Sequence, residues 1–190
     1  IHGTSLKNLI QNMLQTLEAT EGKLEFTYTH FMNKSAPVSK IQSLMDYSVS
    51  WILHARQNDN QMDIAQELEV VVPVMSLCPC SKEISDYGAH NQRSHVTVKV
   101  LIKPEASIVI EDLIKVVESQ ASCELWGLLK RTDEKYVTEK SYENPKFVED
   151  LVRDVATQIS LLPQVQAYTV EAENFESIHN HSAYALIQSN

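Results

Sequence analysis

The chain has 190 residues and a net charge of −9, from 16 basic and 25 acidic side chains, which argues against a general binder of nucleic acid or of a membrane surface. Hydrophobic residues at 43% and charged residues at 22% are ordinary values for one sizeable domain, or two small ones sharing a core, and argue against disorder. No run approaches the roughly 18 apolar residues of a membrane span, and three cysteines, an odd number, do not make a secreted disulfide framework.

In chain order, residues 4–20 carry Leu6, Leu9, Ile10, Met13, Leu14 and Leu17 at helical spacing, with a Thr/Ser cap before them and Gly22 after. Residues 23–32 alternate Leu24, Phe26 and Tyr28 with polar neighbours and predict a strand; 43–55 predict another. After a polar turn at 56–63, the β-branched run 68–77 predicts a third strand, with Pro73 marking an edge or a bulge. Residues 94–103 alternate again. A helix is expected over 107–120, with acids in its first turns.

The strongest helical pattern covers 143–162, with Asn144 as its cap, Pro145 in first position, and Phe147, Val148, Leu151, Val152, Val155 and Ile159 as its buried face. Two strands close the chain around a His-rich connection. The expected class is α+β, with helices on one face of an antiparallel sheet. The start at Ile1 rather than Met predicts a processed or truncated chain, and the cysteine usage predicts a cytoplasmic location.

Reactive side chains gather in four places: Cys78, Cys80 and His90; Asp133 and Glu134 among cations; Glu149 and Asp150; and Glu173, Glu176, His179 and His181. A closed structural zinc site needs four Cys/His ligands, commonly as two short-spaced pairs, and one Cys-Pro-Cys is not that. A mixed site with thiolate, imidazole and carboxylate ligands leaves positions open, as catalytic metals do. Taken singly, Cys123 reads as a small buried hydrophobe, His30, His54 and His95 as structural or surface residues, and Glu149 as a solvated residue suiting a helix start. Lys130 and Arg131 read as a solvated face.

The stretch "SLCPCSKEISDYGAHNQRS" (76–94) resembles the type IB GTP cyclohydrolase I family. "KSAPVSKIQSLMDYSV" (34–49), "LLKRTDEKYVTEKSYENPKFVEDLVRD" (128–154) and "ENFESIHNHSAYA" (173–185) resemble further blocks of that family in the expected order. The resemblance implies a tunnelling fold (T-fold), an antiparallel sheet with two helices packed on one face, assembling into barrels as a homotetramer with active sites at subunit interfaces. Residues 1–40 are then expected to be the remnant of an N-terminal T-fold module, helix plus strand, and 41–190 the C-terminal catalytic module.

It also implies hydrolysis of GTP at C8, releasing formate and forming 7,8-dihydroneopterin triphosphate, with a divalent ion (Mn, Zn or Fe) as cofactor and no nucleic acid or membrane partner. Carried over position by position, Cys78, Glu134 and His179 match metal ligands, and His90 completes the site as ligand or proton carrier. Cys80 matches a cysteine at which substrate is handled, Glu176 precedes His179 as an orienting or relaying acid, and Glu149 matches the acid that holds guanine. A carboxylate suits guanine because N1–H and the 2-amino group are adjacent donors. Lys82 and Arg93 are the local candidates for the triphosphate, with Lys130 or Arg131 beside them. The competing readings are a sister reaction, either the nitrile reductase or an archaeal-type relative forming a cyclic phosphate, and a silent guanine-binding module.

Overall fold

A computed structural model describes residues 3–58 and 61–189. Eleven elements follow in chain order: α1 (Gly3–Thr16), β1 (Glu21–Ser35), β2 (Gln42–Asn58), β3 (Gln61–Leu77), α2 (Pro79–Ile84), β4 (Asn91–Ile102), α3 (Ile110–Gln120), α4 (Arg131–Glu143), α5 (Val148–Ser160), β5 (Val165–Phe175) and β6 (Ser182–Gln188). The strands form one antiparallel sheet in the order β1-β2-β3-β4-β5-β6. The expected class is what is observed: α1, α3 and α5 lie on one face, their apolar sides in a single core with alternate residues of the sheet.

The period-two pattern explains the sheet. Val70, Val72 and Val74 of β3 and Val96, Val98 and Val100 of β4 are fully buried, while their odd- or even-numbered neighbours turn to the other face. Leu113, Ile114 and Val117 of α3 and Leu151, Val152, Val155 and Ile159 of α5 cover them. Leu6, Ile10 and Leu14 of α1 join the same core, and β1 pairs with β2 from Glu21↔Arg56 to Ser35↔Gln42.

Pro73 sits as expected at a local edge. β2 stops pairing with β3 at Ser48↔Val71. The amides of Met75 and Leu77 reach Cys123 O and Ser122 Oγ on that open side, so the same side is where Pro73 lacks its N–H.

Several boundaries differ from the sequence pattern. α1 ends at Thr16, closed by Glu18 at φ 51 and by Ala19 N donating to Leu14 O, so Gly22 lies in β1 instead of ending the helix. Thr4 and Ser5 fall inside α1 and not before it. Residues 59–60 of the expected polar turn, and Ile1, lie outside the described residues. α2 and α4 are additional helices. Asn144 caps the C-terminus of α4, its amide donating to Ala121 O at 2.8 Å, and α5 starts only after Phe147, which is 43% exposed and leaves the expected buried face. The polar stretch before Asn144, to which the sequence pattern assigns no element, is the separate helix α4, with an apolar side too sparse to show a period.

Candidate active site

Antiparallel order brings the C-terminal ends of β1, β3 and β5 and the N-terminal ends of β2, β4 and β6 to one rim of the sheet. Three of these strand ends are fixed from below by buried polar groups: Ser94 Oγ donates to Asn174 Oδ1 at 2.6 Å, and Asn174 Nδ2 to Ser76 Oγ at 3.4 Å. Cys78 leaves the rim after β3 and His90 returns to it before β4.

Cys78 N donates to His90 O at 3.1 Å, one step beyond the last paired residues Leu77↔Asn91. That sets the two residues opposite each other, about 5 Å apart at Cα, where cross-strand neighbours share a face. Between them, Cys78 caps α2, its Sγ accepting from Ser81 N at 3.4 Å. Ser81 Oγ in turn accepts from His90 N at 3.2 Å. Gly88, at φ 144, supplies a backbone conformation open to glycine and turns the chain back toward the rim. Cys78 is half-buried and Cys80 exposed.

His90 Nδ1 lies 3.2 Å from Ser177 Oγ. This contact ties the β5–β6 connection, with half-buried Glu176 and exposed His179, to the Cys78–His90 pair. His179 and His181 stack with centroids 5.0 Å apart. The start of α5 reaches the same corner: Lys146 N donates to Leu77 O at 3.1 Å and Ser76 Oγ to Lys146 O at 3.3 Å. Glu149, exposed in the first turn of α5, is therefore three residues from a segment docked beside Cys78.

α4 runs along the rim. At its C-terminal end the Lys82 ammonium donates to Tyr142 O and lies 4.4 Å from the centre of the Tyr142 ring, so its charge is engaged with α4. At its N-terminal end, buried Asp133 accepts from Val38 N, Ser39 N, Ser39 Oγ and Lys130 N, all within 2.9 Å. Burial would push Asp133 up, but the Ser39, Lys130 and Val38 donors outweigh it and hold its carboxyl well below the usual carboxylate range. Glu134, next to this anchor, is exposed and paired with Arg131 at 2.9 Å. Eight residues separate it from Tyr142, about 12 Å along the helix axis.

Cys78, His90 and the loop of Glu176 are thus brought together, Glu149 starts the adjoining helix, and Glu134 is set apart along the rim. Arg93 is exposed in β4, on the face away from the helices. Among the described residues no three His, Cys, Asp or Glu side chains form a ready metal-holding group. The part of a donor set that the chain does gather is the Cys78 thiol and the His90 imidazole, whose Nε2 is left open by the Ser177 contact on Nδ1. A sulfur–nitrogen pair of this kind fits a borderline divalent ion. Ser177 and the anchoring role of Asp133 were missed from sequence: a lone serine carries no pattern, and only the fold brings Val38 and Ser39 to Asp133.

The model of the family described as type I GTP cyclohydrolase folE2 matches residues 1–185. The chain belongs to that family. It is 57% identical over 188 residues to the GTP cyclohydrolase FolE2 of Polynucleobacter asymbioticus, covering 98% of this chain and 69% of that protein. It is 59% identical over 184 residues to the FolE2 protein of Methylobacillus flagellatus, covering 97% of this chain and 67% of the other. The chain therefore spans about two thirds of the length of these FolE2 relatives. Among solved structures, a highly active mutant of Bacillus sp. TB-90 urate oxidase superposes with a TM-score of 0.60 at 12% identity, covering 97% of this chain and 69% of that one; at that identity the likeness is one of fold alone. Among the described residues no helix is long and apolar enough to cross a membrane.

Proposed function

We propose that the chain is the catalytic portion of a GTP cyclohydrolase that opens the imidazole ring of GTP at C8, releases that carbon as formate, and yields 7,8-dihydroneopterin triphosphate. The observation that carries this reading is the meeting at one rim of Cys78, His90, the Glu176–Ser177 loop and the start of α5 with Glu149, in a chain belonging to the FolE2 family. Cys78 and His90 would hold a divalent ion, with Glu134 and His179 as further donors. When bound, such an ion supplies Lewis acidity toward water and toward C8. Because Glu134 stands apart from Cys78 within one chain, the donor set is completed on assembly, and a homotetramer with sites at subunit interfaces is the arrangement proposed. A reducing, cytoplasmic setting suits the free thiols.

The residues of the chain divide the remaining work. Glu149 accepts guanine N1–H and the 2-amino group on its two oxygens, which an adenine edge would leave unpaired. Cys80, exposed on α2, meets the substrate at C8. Glu176 gives or holds protons at the departing nitrogens, joined by whichever of His90 and His179 is not bound to the ion. Among the described residues Arg93 makes no ion pair and is the cation proposed for the triphosphate, and Lys82 joins it only by leaving Tyr142.

The experiment is to incubate the full-length protein with GTP after chelation, with manganese, with zinc, or with neither, and to follow formate and the oxidised pterin's fluorescence. Ion-dependent formate with neopterin triphosphate supports the proposal. Formate with a cyclic phosphate product would favour the archaeal-type reaction, and ion binding without formate would leave a silent module.

Two outcomes are expected of variants. Glu149→Gln should raise the KM for GTP about 10- to 100-fold, the scale of a charge-assisted hydrogen bond of about 1.5–3 kcal/mol; unchanged kinetics would remove the base-recognition role. Ser177→Ala should lower kcat about tenfold with little change in KM, because the imidazole of His90 loses its orienting partner. A shift in KM alone would show that Ser177 acts on binding instead.

A further inference from the structure

The helix that carries the Cys80 thiol, α2, has little to hold it. It is six residues long, none of them buried, and its one large aliphatic side chain, Ile84, is 83% exposed. A helix this short does not persist by itself in water, and packing of an apolar face usually makes up the difference. α2 has no such face. Its backbone bonds stay within its own loop: Lys82 N donates to Cys78 O at 3.2 Å, Ser85 N to Ser81 O at 3.1 Å, and His90 N to Ser81 Oγ at 3.2 Å.

Among the described residues, one side chain of α2 hydrogen-bonds outside 78–90. The Lys82 ammonium donates to Tyr142 O and lies over the Tyr142 ring, 4.4 Å from its centre. Tyr142 is the next-to-last residue of α4, so its carbonyl is one of the four that a helix leaves unpaired at its C-terminus. Asn144 N takes Ser141 O at 3.2 Å, and Lys82 takes the next carbonyl. A cation in that place also meets the negative end of the helix dipole. At its other end α4 is tied down by buried Asp133. Lys82 therefore fastens the last turn of α2 to an anchored helix.

The fastening decides which way Cys80 faces. Successive residues turn by about 100° around a helix, so Cys80, two before Lys82, stands about 200° away from it. With Lys82 against α4, Cys80 is turned to the open side, where it is exposed. A phosphate group would have to draw the ammonium off both the carbonyl and the ring, and α2 would lose its hold as substrate arrived.

We propose that Lys82 is a positioning residue: seated on the C-terminal end of α4, it fixes the rotation of α2 and so the place of the Cys80 thiol at the rim. The proposal rests on the reading of Cys80 as the group that meets the substrate, and it leaves the triphosphate to Arg93.

Two variants test it in the full-length protein, supplied with GTP and a divalent ion. Lys82→Met keeps most of the stem and removes the charge; Tyr142→Leu takes away the ring beneath the ammonium and leaves Lys82 in place. Lys82→Met is expected to lower kcat about tenfold, and Tyr142→Leu about threefold, with the KM for GTP unchanged in both, because orientation is lost and not binding. Without substrate, the amides of residues 82 and 85 should exchange hydrogen about tenfold faster in Lys82→Met, as the last turn of α2 opens. A rise in KM with kcat unchanged in Lys82→Met would make Lys82 a phosphate ligand and overturn the proposal. Unchanged exchange at residues 82 and 85 would overturn it too. Absence of formate from the unsubstituted protein would count against the cyclohydrolase reading; the exchange rates, which need no turnover, would still decide whether Lys82 holds α2.

Discussion

Cys80→Ala is expected to stop ring opening while the protein keeps its divalent ion, whereas Cys78→Ala is expected to lose both. The two thiols are two residues apart but differently placed. Cys78 follows β3, is half-buried, and is held by Ser81 N and by the bond from its own amide to His90 O. It faces the imidazole across the ladder, where a ligand pair must stand. Cys80 is exposed on α2, so its sulfur is free to approach a substrate. In both variants the turnover should fall by about 10²–10³-fold or more, the scale seen when a main stabilising group of a reaction is removed. Ion content after gel filtration separates them: retained in Cys80→Ala, lost in Cys78→Ala. Loss of the ion in Cys80→Ala would exchange the two roles.

Much of the fold was readable because the sheet and two of its helices bury one face each. The alternation in β4 and the three-to-four spacing in α5 state which side is inward, and the structure agrees for Val96, Val98, Val100, Leu151, Val152, Val155 and Ile159. α4 was not readable for the same physical reason. It lies on the rim, buries only Asp133, Val137 and Ser141, and is otherwise polar all round, so no apolar stripe marks it. Its N-terminal anchor is a carboxylate that bonds to a turn 94 or 95 residues earlier in the chain, a partnership that no local pattern contains.

The candidate site divides in the same way. Cys78 and His90 stood out as a close pair of reactive side chains, and the ladder between β3 and β4 explains their meeting. Ser177 and the docking of Lys146 on Leu77 depend on strand ends assembled from opposite halves of the chain. Glu149 illustrates the limit from the other side: its pattern alone reads as an acid suiting a helix start, and only the fold shows that the start of its helix docks on the end of β3.

Lys34→Met is expected to destabilise the protein by about 3–5 kcal/mol, the range for stripping one partner from a buried ion pair, against a total stability of about 5–15 kcal/mol. The Lys34 ammonium lies 2.7 Å from Glu118 Oε1 and 2.8 Å from Glu124 Oε2, and both Lys34 and Glu118 are 7% exposed at the side chain. Tyr47 donates to the same Glu118 oxygen at 2.8 Å, and the ring of Trp126 closes over the ammonium, its centroid 5.0 Å away. This cluster joins β1, β2, the end of α3 and the segment after it. Burial pushes Glu118 above the usual carboxylate range, while Lys34 and Tyr47 pull it back; without Lys34 it rises further. A carboxyl whose folded value is raised binds more protons folded than unfolded, so it lowers stability as pH rises from about 4.3 through its folded value. The loss in Lys34→Met should therefore be small in acid and reach its full size above that window. Denaturant melts of the variant and the unsubstituted protein across this range measure it. A loss that does not grow with pH would mean that Lys34 contributes packing over Trp126 and not charge. Adding Glu118→Gln should recover part of the stability, since the amide oxygen still accepts from Tyr47 and no unpaired charge remains.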